Sequence, residues 1–136
     1  RDDVESRGLG DVYKRQPPQP YMFSEWRKML DEVFSLIRQD WLSSIDMDCL
    51  LTMMALDDET EDVLDYLTAQ GSPLLIVSLT YIGLHSIFPQ ARWQCAELIG
   101  RRSIPDRVAL LRQYAKDRDA YVAKRAGNVL EAIADK

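Results

Sequence analysis

Between residues 89 and 136 one arrangement of apolar positions occurs twice. Ala91, Cys95, Leu98 and Ile99 fall at i, i+4, i+7 and i+8, and Val122, Ala126, Val129 and Leu130 repeat that spacing 31 residues later. The spacing lays small and branched apolar side chains along one stripe of a helix. Between the two copies, residues 103–116 predict another helix, with Val108, Leu111 and Ala115 on its inner stripe and Leu110 and Tyr114 beside them. Helix pairs recurring at about 30 residues are the sequence signature of stacked helical repeats.

The earlier part of the chain follows the same helical period. Ser24 is expected to N-cap a helix running to about Trp41. Trp26, Leu30, Val33 and Ile37 step along one face of it, widened by Met29 and Phe34, while Arg27, Lys28, Asp31, Glu32 and Arg38 lie on the other. After a link at 42–45, a second helix is expected over about 46–56, striped by Met47, Leu50, Leu51 and Met54. The acidic run Asp57, Asp58, Glu59, Glu61, Asp62 and Asp65 leads into a third helix, because Val63, Leu64 and Leu67 carry the period through it. Acids there suit the positive end of the helix dipole.

Gly71 is expected to end the third helix as a C′ residue, with Ser72 and Pro73 starting the next at N-cap and N1. Residues 74–84 are apolar nearly all round and predict the most buried helix of the protein. Pro89 opens the following helix. Ser103-Ile-Pro-Asp106 reads as a capping box with Ser103 at the N-cap, and Asp119 caps a final helix to about Ala134. Turns near Asp57-Asp58, Ile87-Phe88 and Asp117-Arg118 then recur at about 30 residues. The prediction is an all-α fold: an α-solenoid of about seven helices in stacked antiparallel pairs, occupying residues 22–136.

Residues 1–16, RDDVESRGLGDVYKRQ, have no apolar period and hold two glycines in three positions. They resemble translated adapter sequence of the kind found at the ends of metagenomic assemblies, and a disordered native tail is the alternative. Pro17, Pro18 and Pro20 predict an extended spacer that blocks helix, so residues 1–21 are set outside the fold. Met22 is a candidate start.

Composition adds bounds rather than detail. The 136 residues suffice for one domain, and 46% hydrophobic with 29% charged residues is ordinary for a globular protein. The apolar run at 74–84 is interrupted by Ser78, Thr80 and Gly83 and falls short of the roughly 20 residues that span a bilayer. No membrane association is expected. Cys49 and Cys95 both fall among apolar helical positions, as core thiols of a reducing compartment would, which favours the cytoplasm.

The net charge is −5, unevenly spread: residues 17–70 hold three basic and twelve acidic residues, residues 71–136 ten basic and six acidic. The acidity argues against a dedicated nucleic-acid binder, while the basic half keeps that class open. His85 is the only histidine. A lone histidine offers no His-based metal site, proton relay or nucleophilic triad. No glycine-rich phosphate loop or CxxC occurs, and the acidic run lacks the DxDxDG order of a calcium loop. No catalytic, metal or cofactor residue is assigned.

The second copy resembles a HEAT repeat, whose pattern is an apolar first helix, an Asp-x-Asp turn, then V-R-x-x-A-x-x-x-L-G. Here the turn is Asp117-Arg118-Asp119, followed by Val122, Ala126 and Leu130, with Ala123 in place of the arginine and Glu131 in place of the glycine. The first copy keeps both, as Arg92 and Gly100, but has Pro89 where an acid is common. The likeness covers half the chain, and the rest by period only. It implies a scaffold or partner-binding module whose second helices line a concave surface. Some such proteins bind DNA, some act on bilin chromophores, and one group of hydroxylases holds iron through His-Glu pairs, which a single histidine does not supply.

With Ala91, Cys95, Leu98 and Ile99 turned inward, Trp93 and Glu97 are expected outward, as are Lys124, Asn128 and Glu131 in the later copy. An exposed Trp near arginines is a hot-spot composition. The sequence therefore nominates Arg92, Trp93, Glu97, Lys124, Arg125 and Asn128 as a protein-binding surface. The competing expectation is Trp93 packed under a neighbouring loop or the first helix. Alternative functions are nucleic-acid binding through Arg92, Arg101, Arg102, Lys124 and Arg125, and a repeat-type lyase.

Overall fold

In the computed structural model, residues 20–39 and 46–134 are described, with side chains from residue 24 onward. Among them are seven helices and no strand: α1 Pro20–Gln39, α2 Met47–Leu56, α3 Asp62–Gln70, α4 Pro73–Gly83, α5 Pro89–Arg102, α6 Arg107–Tyr114 and α7 Ala120–Ala134. The readings for residues 1–19, for Trp41 and for the 42–45 link lie outside the described residues. The chain divides into two units between Glu32 and Val33, a boundary that falls within α1.

In the first unit, α1 begins four residues before the expected cap at Ser24. Pro20 occupies the first helical position, where its fixed φ suits a helix and its missing N–H costs nothing. Exposed pairs Arg27–Asp31 (3.8 Å) and Lys28–Glu25 (3.7 Å) run along this part of the helix. In the second unit, Phe34 of α1 stacks on Tyr66 of α3 at 4.0 Å between ring centroids, and Arg38 donates to the Tyr66 hydroxyl.

Several starts and stops follow the sequence signals. Ser72 caps α4 by accepting from the Leu75 N–H, with Pro73 next, while Asp46, expected inside the second helix, stands just before α2 as its N-cap and accepts from the Cys49 N–H. Asp119 Oδ1 accepts from the N–H groups of Tyr121 and Val122 at the start of α7. Asp57, buried in the α2–α3 turn, accepts from the Val63 N–H at 2.9 Å and from the Thr60 hydroxyl.

Other signals are corrected. Gly71 ends α3 with φ −68°, so no left-handed C′ residue is used there. Its need is spatial: an added Cβ would lie 2.7 Å from Ile76 Cδ1. Ser103 does not cap α6. It ends α5 in the left-handed region at φ 53°, and Asp106, at φ 58°, precedes α6 without a side-chain cap bond. Ser103 Oγ is instead taken by Arg107, four residues on. In α6 the buried residues are Leu110, Leu111 and Tyr114, while Val108 is exposed: the side turned inward is centred between Leu111 and Leu110 rather than between Leu111 and Val108.

The most buried helix is α5, not α4. It touches α2, α3, α4, α6 and α7. Its residues Ala91 to Ala96 are all buried, as are Leu98 and Ile99. Long polar side chains survive this burial by reaching backbone. Gln94 Nε2 donates to the carbonyls of Met54 (2.7 Å) and Gln90 (2.9 Å). Arg102 reaches across to α3 and donates to the carbonyls of Gly71 (2.6 Å) and Leu67 (3.0 Å), the latter shared with the Gly71 N–H. By contrast α4 buries one side only, Leu75, Ile76, Leu79, Thr80 and Gly83, and exposes Leu74, Tyr81 and Ile82.

The join between α4, α5 and α6 is tight. The Tyr114 hydroxyl donates to the Thr80 carbonyl at 2.5 Å, and an added Cβ at Gly83 would lie 2.6 Å from Cys95 Sγ. Burial pushes the Cys95 thiol up to about 12, against a weaker lowering by the Tyr114 hydrogen bond. Desolvation, followed by the neighbouring Cys95, raises the Tyr114 phenol as well. Of the two expected core thiols only Cys95 is buried. Cys49 is exposed near the start of α2, on the side opposite Leu50, Leu51, Met53 and Met54. Both are free thiols.

Candidate functional site

The α5–α7 contact brings three of the six nominated residues, Trp93, Glu97 and Arg125, into one cluster, but not facing outward. Trp93 is only 6% exposed. The reason lies in α7: the Arg125 guanidinium sits 4.1 Å above the Trp93 ring, and Tyr121, one turn earlier, meets its edge at 5.8 Å and 87°. Among the described residues, both ring contacts to Trp93 come from α7. Arg125 is held from three directions. Its Nε and Nη2 donate to Glu97 Oε1 at 3.0 and 2.7 Å, and its Nη1 donates to the Tyr121 hydroxyl at 2.5 Å. Desolvation works against the Arg125 charge, but the bonds to Glu97 and Tyr121 outweigh it and raise its pKa.

Arg92 is withdrawn altogether, at 2% exposure. Its Nε and Nη2 grip Asp117 at 2.7 and 3.1 Å, and its Nη1 donates to the Ser86 carbonyl at 2.7 Å. Desolvation opposes ionisation of Asp117. The Arg92 bond, the Asp119 N–H at 2.8 Å and the charges of Arg92 and Arg118 prevail, and hold the carboxyl below its ordinary 3.8. Lys124 and Asn128 are exposed on α7, as expected, and so is Glu131.

Beside the cluster lies a cleft of about 480 Å³ between the start of α3, the start of α5 and the start of α7. Trp93, Tyr121 and Arg125 form one wall, and Asp58, Glu61 and Asp119 bring three carboxylates to it. Tyr121, 51% exposed, is the aromatic most open to solvent here. Sequence reasoning passed over Tyr121, although it stands four residues before Arg125, the spacing at which helical side chains touch. The carboxylates come from two separate turns, Asp58 and Glu61 before α3 and Asp119 before α7, and no local signal joins them.

The cations nominated for nucleic acid are mostly spent inside the protein. Arg101 bonds Asp65 and Thr68 and pairs with Glu61 at 3.7 Å, Arg102 caps α3, and Arg92 and Arg125 are bonded as above. Among the described residues no three His, Cys, Asp or Glu side chains converge on a metal-sized site, and no helix is long and apolar enough to cross a membrane. No family model, curated protein or solved structure matches the chain.

Proposed function

We propose that the chain is a protein-interaction module built from HEAT-like stacked helix pairs, and that the partner enters the cleft beside Tyr121. The observation that carries this reading is the Trp93–Arg125–Tyr121 stack. It joins the three residue types that dominate binding hot spots, fixes two of them by internal bonds, and leaves the tyrosine open at the rim of a concavity. A rigid anchor loses little entropy on binding. Lys124 and Asn128, exposed on α7, extend the same surface.

Stacking of pairs is supported by the link between the two sequence copies. Arg92 of the earlier copy grips Asp117 in the turn of the later one, and α5 packs on α7. Free thiols at Cys49 and Cys95 agree with the cytoplasm. The nucleic-acid reading has less support, because four of its five cations are engaged within the protein.

The test is affinity capture by the full chain from nuclease-treated lysate, alongside a Tyr121→Ala variant with an unchanged circular dichroism spectrum. The expected result is a discrete partner whose affinity falls about tenfold or more in the variant. Capture indifferent to Tyr121→Ala, or abolished by nuclease, overturns the reading.

A further inference from the structure

We propose that the outward stripe of α4 is a self-association face, on which a second copy of this chain docks about a two-fold axis running along that helix. The inference is independent of the cleft, which lies on α3, α5 and α7.

The proposed face is centred on α4 and bounded by α2 and α6: all three pack on α5, α4 contacts α2, and Tyr114 of α6 bonds the Thr80 carbonyl of α4. Pro73–Gly83 contains no charged residue. Even so, Leu74 is 61% exposed and Tyr81 and Ile82 are each 42% exposed, with Ile87 open just beyond. Scattered exposed apolar residues need no account, but a contiguous stripe on an uncharged helix marks a contact surface.

The spacing of the stripe suits a like partner. Leu74, Ser78 and Tyr81 follow one another at four and three residues, the interval of a helix–helix seam, and His85 lies in the turn just beyond. In a parallel pair each seam position meets its own counterpart across the axis. Leu74 and Tyr81 then meet apolar groups, and Ser78, small and half-buried, leaves room between them.

Charge selects a second copy over another occupant. On the α2 flank, Asp48 lines a groove of about 410 Å³ together with His85 and Ile87. On the α6 flank, Arg112 is exposed on the helix and Lys116 is exposed in the turn that follows it. A two-fold axis along α4 lays the α2 flank of one molecule over the α6 flank of the other. Acid then meets base at both edges at once, and the centre meets itself without a charge to repel. A partner of uniform charge would satisfy one edge and oppose the other. A seam of three turns belongs with small, reversible interfaces, so the dissociation constant should be on the order of 10 µM or weaker.

The experiment is sedimentation velocity on the full chain from micromolar to near-millimolar concentration. The expected result is a monomer–dimer equilibrium that Tyr81→Glu weakens at least tenfold. Asp48→Lys alone, and Arg112→Glu with Lys116→Glu alone, should each weaken it. An equimolar mixture of those two variants should associate again, because each then supplies the charge the other lost at both edges. All these positions are exposed, and circular dichroism checks that each variant folds. A monomer at every concentration, association indifferent to Tyr81→Glu, or a mixture no tighter than its parts overturns the proposal. Binding at the cleft, read through Tyr121→Ala, is unaffected by any of these results.

Discussion

Arg92→Ala isolates the interaction that ties the two sequence copies together. Arg92 and Asp117 are 3% and 11% exposed at their side chains, with two N–H···O bonds of 2.7 and 3.1 Å between them and a third from Arg92 to the Ser86 carbonyl. Removing the arginine leaves a carboxylate with little water to replace it and a carbonyl without its donor. Breaking one side of a buried pair costs about 3–5 kcal/mol. For a chain of this size that lowers Tm by on the order of 10–20 °C. The exposed Arg101–Asp65 pair, at 34% and 65%, provides the contrast: Arg101→Ala should cost about 1 kcal/mol or less.

The pair also has a pH signature. The Asp117 carboxyl is held below its ordinary 3.8 in the folded state. A carboxyl depressed by folding contributes stability that is fully present above its unfolded pKa and is lost as pH falls through the folded one. The stability gap between wild type and Asp117→Asn should therefore be flat above about pH 5 and shrink below about pH 4. Urea unfolding followed by circular dichroism at pH 3 to 7 measures both effects. An Arg92→Ala loss under about 1 kcal/mol, or a gap that stays constant down to pH 3, would refute the reasoning.

Trp93→Ala should cost about 3 kcal/mol in thermal or urea unfolding, since it removes a buried indole and the surface under Arg125. Gly83→Ala should destabilise by about 1–3 kcal/mol despite alanine's better helix propensity, because the new methyl meets Cys95 Sγ and the Tyr114 hydroxyl; Cys95→Ala in the same chain should recover part of the loss. In the native protein at pH 8 a thiol reagent should modify Cys49 and spare Cys95, whose thiol is pushed up to about 12, and denaturant should expose both.

Where a signal is local, the sequence carries it. Ser72 and Asp119 cap helices in the structure because their side chains reach N–H groups only two or three residues away. The stripe Ala91, Cys95, Leu98 and Ile99 faces inward because one helix period decides it. What depends on distant partners is not legible. A helical wheel turns Trp93 outward and leaves Arg92 and Gln94 on its flanks, yet each is buried by something 25 to 40 residues away in sequence: the Tyr121–Arg125 turn, Asp117, or the Met54 carbonyl. Residues 74–84 mislead in the other sense, since apolarity does not guarantee a neighbour on every side, and Leu74 and Tyr81 of α4 stay exposed. The cleft draws on turns before three helices, so only the fold assembles it.

The position of α5 governs how the second unit comes apart. In a linear array each element leans on its neighbours alone, and the ends can fray while the middle persists. Here five helices rest on one, and α5 cannot open until they have left it. Amide hydrogens from Ala91 to Ile99 should therefore exchange only through global unfolding, at one shared free energy. The outer turns of α7 should exchange earlier and independently.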